Sequence, residues 1–213
     1  MKTLRILSTV AAAAVLAIAS TGASAAGCGL VANCGFETGD FTGWTLSGND
    51  VPFENGNLYG VDTGPDPLEG TPAHGGTDQA WFSDFISNTT TLSQSIATVS
   101  GTTYTVSFWM AQQLDGAGTV GNDLTATFGS GALAPLVNIG EQGYTEYTFT
   151  GTATSASTTL TLTMGNDIGQ YLVDDFSVTA PTPAVPEPSM LSLMGLGTLL
   201  LGLAARRRGA KRD

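Results

Sequence analysis

An all-β sandwich over residues 27–180 is the fold that the sequence predicts, and three observations predict it. Apolar and hydroxyl residues alternate: Tyr104, Val106, Phe108 and Met110 are spaced by two around Thr105 and Ser107, and Leu160, Leu162 and Met164 interleave with Thr159, Thr161 and Thr163. Threonine fills the outward positions, which suits a pleated surface, and no long stretch carries the 3.6-residue stripe of an amphipathic helix. Glycine-rich breaks at 129–131 and 140–143 punctuate the segments, so that about nine short strands follow, including Leu124-x-Ala126-x-Phe128 and Tyr147-x-Phe149. Two packed sheets are the closure such a pattern favours.

Taken in order, residues 1–26 read as a secretory signal peptide. Lys2 and Arg5 precede an apolar run over 10–18, and Ala23-Ser24-Ala25 supplies the small residues of a cleavage site, with the cut expected after Ala25 or Ala26. The next segment holds both cysteines of the chain, Cys28 and Cys34. Outside the cytoplasm they form a disulfide by default, with free thiols or a metal pair as the alternatives. So short a loop gives less than the ~3 kcal/mol of a fifteen-residue closure, so a bond here is a local clip on the first strand. Residues 48–77 are rich in Gly, Pro, Asn and Asp, and only 58–61 looks strand-like. This is a large loop on one face, either a ligand-holding loop or a plain insertion.

Beyond the sandwich, 181–189 is a Pro-rich linker, and 190–205 is a sixteen-residue stretch without charge. As a helix it measures about 24 Å against a ~30 Å hydrocarbon core, so it spans with thinning or snorkelling. The tail over 206–213 carries Arg206, Arg207, Arg208, Lys211 and Arg212 and stays cytoplasmic, which turns residues 27–180 outward. All seven basic residues lie in the two ends, whereas sixteen of the eighteen acidic ones lie between them. A body with a formal charge of −16 and no cationic side chain disfavours nucleic acid and anionic lipid as partners.

Val185-Pro186-Glu187-Pro188-Ser189, followed at once by the apolar stretch and the Arg-rich tail, resembles the PEP-CTERM sorting signal of Gram-negative bacteria that make exopolysaccharide. The resemblance implies an inner-membrane-anchored precursor, processing by exosortase, and release to the cell surface or extracellular matrix. A second resemblance lies within the sandwich. The opening Asn33-Cys34-Gly35-Phe36-Glu37…Gly43-Trp44 and the closing Tyr171-Leu172-Val173-Asp174-Asp175-Phe176 are similar to the ends of jelly-roll carbohydrate-binding modules. In those modules the Glu after Phe and an Asp of the last strand hold a structural calcium ion, which implies metal-site roles for Glu37 and Asp175, with Asp174 as neighbour.

Physical chemistry points the same way. Strand alternation puts Asp174 on the apolar face with Leu172, Phe176 and Val178, and Asp175 on the other face with Val173 and Ser177. A carboxylate taken from water needs a partner, and without Lys or Arg the choices are backbone N–H groups, a proton or a metal ion. Among metals, Ca²⁺ suits an all-oxygen set, so a calcium site joining the first and last strands is expected.

Catalysis finds little support. His74 is the single histidine, and there is no Gly-x-Ser-x-Gly elbow, His-Glu-x-x-His pair or phosphate loop. The expectation is therefore a non-catalytic surface or matrix protein of the biofilm kind, associated with acidic exopolysaccharide. A calcium-stabilised carbohydrate-binding module with a defined glycan is the alternative, and a glycoside hydrolase a distant third. Trp81, Phe82, Tyr59 and Trp109 are the rings that could stack on sugars; Trp44 and Trp109 read as core anchors, which leaves Trp81, beside the loop, as the ring of interest.

Overall fold

The alternating segments become eleven strands in the computed structural model, which describes residues 27–48, 58–83, 86–114, 121–167 and 169–182. The signal peptide, the sorting motif with Val185, Pro186, Glu187 and Pro188, the apolar stretch and the basic tail with Arg206, Arg207 and Arg208 lie outside the described residues. The strands are β1 (Thr45–Gly48), β2 (Tyr59–Thr63), β3 (Asp78–Phe82), β4 (Thr90–Ala97), β5 (Thr103–Leu114), β6 (Asn122–Phe128), β7 (Gly131–Ala132), β8 (Leu136–Val137), β9 (Gln142–Thr152), β10 (Ser157–Asn166) and β11 (Gly169–Thr179). No helix among the described residues is long and apolar enough to cross a membrane.

One sheet has the order β1-β4-β10-β6-β7, with β8 also on β6; the other has the order β2-β3-β11-β5-β9, and all these pairs are antiparallel. Their inner faces enclose the apolar set that the alternation predicts, including Val106, Phe108, Met110, Leu124, Phe128, Leu160 and Leu162, together with Leu92 and Ile96 of β4. Aromatic rings from distant segments meet near one end of this core. Phe176 of β11 lies 4.8 Å from Trp44, 5.5 Å from Phe108 and 6.0 Å from Phe36 between ring centroids. The outer face of the six-stranded sheet carries threonine and serine, paired across strands as Thr91–Thr163 at 3.1 Å and Ser95–Ser157 at 2.7 Å.

The segment before β1 is not a strand but a compact knot organised by Asn33. Its side chain donates to the carbonyls of Asp40 and Thr42, and its own carbonyl accepts the Trp44 indole N–H at 3.1 Å. Cys28 and Cys34 are joined as a disulfide, with Cα atoms 5.7 Å apart. The knot is fastened to β11: Leu30 N–H donates to the Val178 carbonyl at 2.9 Å, and Phe176 N–H donates to the Cys34 carbonyl at 3.0 Å.

Strand β11 departs from the expected alternation. Asp175 has φ +48°, and the pairing with β5 shifts register between Asp174 and Ser177, so one extra residue is inserted as a bulge. The bulge re-phases the strand: Tyr171, Val173, Phe176 and Val178 face the core. Asp174 therefore shares the outer face with Leu172 and does not lie on the apolar face with Phe176. It is nonetheless fully buried, as β11 is central in its sheet and residues 64–77 cover the outer face there. Trp109 is a second correction. It projects from the outer face of β5 and stacks on His74 with centroids 3.8 Å apart, while Trp44 alone of the two is a core anchor.

Candidate functional site

Two groups of polar side chains come together where residues 64–77 meet the five-stranded sheet. The first holds the carboxylates singled out from the sequence. Asp174 Oδ2 accepts from Gly75 N–H at 3.0 Å and Oδ1 from Asp175 N–H at 2.7 Å, while Asp175 Oδ2 sits 2.7 Å from His74 Nδ1. Asp175 Oδ1 is buried without a hydrogen-bond partner. Glu37 turns its carboxylate to another part of the same loop, accepting from the amides of Thr77 at 2.9 Å and Asp78 at 3.1 Å and from the Thr77 hydroxyl at 3.1 Å.

Glycines make this approach possible. A Cβ on Gly35 would stand 3.2 Å from Asp174 Oδ1 and 3.4 Å from Asp175 Oδ1, one on Gly75 2.4 Å from Asp175 Oδ2, and one on Gly76 2.0 Å from Glu37 Oε1. The two aspartates are thus brought together under Gly35, and Glu37 stands beside them with its oxygens already engaged. Among the described residues no three His, Cys, Asp or Glu side chains gather as a metal-ligand set. The donor set meets a cation's needs in part: it offers one orphaned buried oxygen and oxygen-only chemistry.

The second group was not anticipated. Asp66, only 2% exposed, accepts from Gln170 Nε2 at 2.7 Å, from Gln113 Nε2 at 3.1 Å and from Glu69 N–H at 2.8 Å. Gln79 donates to the Thr71 carbonyl at 2.9 Å and accepts the Tyr144 hydroxyl at 2.5 Å. These glutamines stand at outward positions of β3, β5 and β11, and together they hold the loop on the sheet. Trp81 shares this outer face, opposite Leu172 and Gly60, and its ring lies so close over Gly60 that a Cβ there would meet the indole nitrogen at 2.7 Å. Phe82 points the other way into the core, and Tyr59 packs against it with centroids 6.3 Å apart.

Beside the docked loop are two clefts. One of about 300 Å³ is lined by Glu69, Thr71, Gln112, Gln113, Glu141 and Gln142; the other, of about 210 Å³, lies between Leu68 and Leu114. Carboxamides and carboxylates dominate the first, a lining suited to a polyhydroxylated ligand.

Burial shifts the acids. Asp62 is pushed up to about 6, by burial first and by the charge of Asp66 second. Asp174 is pushed up to about 7 by burial, with the Asp175 charge adding and the amides of Gly75, Asp175 and His74 opposing. Both values lie above the 3.8 of a free carboxyl, so the folded chain binds more protons than the unfolded one between pH about 4 and 7. The contribution to stability is full below pH about 4 and is lost as pH rises through those folded values. With chelator present, the melting temperature is expected to fall from pH 5 to pH 8; a flat or rising profile contradicts this assignment.

Comparisons with known proteins follow the same division between tail and sandwich. The PEP-CTERM protein-sorting motif matches residues 184–208, which marks an exported chain sorted to the cell surface. No curated protein matches the chain. Among solved structures, TmCBM61, determined in complex with beta-1,4-galactotriose, is similar at 20% identity with a TM-score of 0.55, covering 72% of this chain and 99% of that one. The CBM22-1 xylan-binding domain from Paenibacillus barcinonensis is similar at 17% identity and TM-score 0.46, covering 70% of this chain and 93% of that one. The K3 cleaved adhesin domain of Lys-gingipain from Porphyromonas gingivalis is similar at 18% identity and TM-score 0.47, covering 70% and 96%. The chain therefore has the jelly-roll β-sandwich fold of carbohydrate-binding modules and carries a PEP-CTERM sorting motif.

Proposed function

We propose that this is a non-catalytic surface or extracellular-matrix protein that associates with acidic exopolysaccharide through the outer face of its five-stranded sheet. The observation that carries the reading is the 300 Å³ cleft of glutamine and glutamate side chains beside the docked loop, on the face that also presents Trp81. Aromatic and amide groups on one rigid sheet face suit stacking on sugar rings and bonding to their hydroxyls. The sorting motif supports processing by exosortase at Val185-Pro186-Glu187-Pro188 from an inner-membrane-anchored precursor of a Gram-negative bacterium. His74, the one histidine, is held between Trp109 and Asp175, an arrangement that favours loop docking over hydrolysis.

Calcium belongs to the same proposal. Glu37, Asp174 and Asp175 would hold the ion, whose contribution is positive charge for carboxylates that have no Lys or Arg in the domain to pair with. The unpartnered Asp175 Oδ1 supports this reading. Bound ions could also link the acidic surface to acidic glycans.

A glycan array run with and without Ca²⁺ tests the whole. Weak, calcium-dependent binding across acidic polymers is expected, and Trp81→Ala is expected to lower it about tenfold, near 1.4 kcal/mol. A single tight specificity would instead favour a module with a defined ligand. Absence of glycan retention would remove both readings. Isothermal titration that gives no Ca²⁺ heat, together with no chelator-sensitive melting shift, would remove the ion alone.

A further inference from the structure

The contact between Thr71 and Gln113 has the parts of a self-forming covalent link. Thr71 Oγ1 lies 2.9 Å from Gln113 Nε2. The carboxamide carbon is one amide bond of ~1.3 Å beyond that nitrogen, so it stands at most about 4.2 Å from the hydroxyl oxygen. Gln113 Nε2 also lies 3.1 Å from Asp66 Oδ2, and Gln113 Oε1 accepts a hydrogen bond from Gln170 Nε2. Gln113 is 4% exposed, Asp66 2% and Gln170 3%. The amide's orientation is fixed by these partners, since reversing it would aim its oxygen at the Asp66 carboxylate.

We infer that Thr71 and Gln113 condense spontaneously into an ester that staples the loop to strand β5. The Thr71 hydroxyl oxygen attacks Gln113 Cδ, forming the Oγ1–Cδ bond. Charge gathers on Oε1, where the Gln170 N–H stabilises it as an oxyanion-hole donor would. The Cδ–Nε2 bond then breaks. The hydroxyl proton passes to the departing nitrogen, 2.9 Å from Thr71 Oγ1, while Asp66 Oδ2 at 3.1 Å stabilises the positive charge that develops there, and ammonia leaves through the 300 Å³ cleft that Thr71 and Gln113 both line. One hydroxyl and one carboxamide give one ester and one ammonia, with no oxidant or other reactant. Buried, oriented groups reach effective concentrations of about 10⁵–10⁸ M, which compensates for the weak electrophilicity of an amide. The composition narrows the options further. The sandwich has no lysine, so a side-chain amide cross-link is unavailable to it and an ester is the acyl link its residues allow.

The inference is independent of glycan binding and is tested by mass spectrometry of the purified full-length or processed protein. The intact mass is expected to fall short of the sequence mass by one ammonia, about 17 Da, beyond the change from the disulfide. Glu-C or chymotryptic digestion under denaturing conditions is expected to yield one peptide pair linked through 71 and 113; hydroxylamine should split it and leave a hydroxamate at 113. Thr71→Ser is expected to keep the link and Thr71→Val to abolish it. Unlinked peptides from the wild-type chain, an ammonia loss that persists in Thr71→Val, or glutamate at 113 from hydrolysis by water would each overturn the proposal. The wild-type peptide map decides even if the valine variant does not fold.

Discussion

Replacing Phe176 by alanine is expected to lower the unfolding free energy by about 3–5 kcal/mol, the largest effect of any single change considered. The ring is fully buried and touches three others, Phe36 and Trp44 of the knot before β1 and Phe108 of β5. A cavity there cannot close by moving one element, because β11 is fixed between β3 and β5 and the Phe176 amide is bonded to Cys34. Urea titration should show the loss as a lower midpoint with an unchanged slope, and the melting temperature should fall by roughly 10 °C. A loss below about 1 kcal/mol would show that the aromatic junction is not the keystone of this core.

Gly76→Ala is the second large effect, expected at about 2–3 kcal/mol. The residue has φ +67°, a conformation that costs a Cβ-bearing residue about 1–2 kcal/mol. Its Cβ would also occupy the space of the Glu37 carboxylate, at 2.0 Å from Oε1 and 2.4 Å from Cδ. Glu37 can swing away, but the amides of Thr77 and Asp78 then lose their acceptor. Gly70→Ala supplies the control: it has φ +71° with open space around it, and so should cost the backbone term alone. If the two variants melt together, the carboxylate cradle contributes nothing to the docking of the loop.

How much of this was legible in the sequence depended on whether the information was local. Strands β5, β6 and β10 show their inward faces as plain alternation, and the structure buries those residues. Strand β11 was misread because a bulge is invisible to a period of two: one residue at φ +48° exchanges the faces on either side of it. Trp109 was misassigned for a related reason, since Phe108, Trp109, Met110 and Ala111 form an unbroken apolar run in which neither face stands out. The glutamine network escaped notice because its partners are 8 to 104 residues apart. The one local hint was that Gln79, Gln113 and Gln170 each lie close to an apolar or aromatic run, Ala80–Phe82, Phe108–Ala111 and Tyr171–Val173. The opening Asn33 to Trp44 motif did point to the right place, as Gly35, Phe36 and Glu37 all meet β11 or the loop beside it.

The place of β11 governs when this body can assemble. It is the last of the described strands in chain order yet stands in the middle of its sheet, flanked by β3 and β5, and it also receives the Cys28–Val31 segment through Val178. A half-delivered polypeptide therefore lacks the element on which both earlier partners must be zipped, and its long-range pairings are the slow kind. The sandwich therefore closes only once the chain up to residue 179 is present, a few residues ahead of the sorting motif at 184–208.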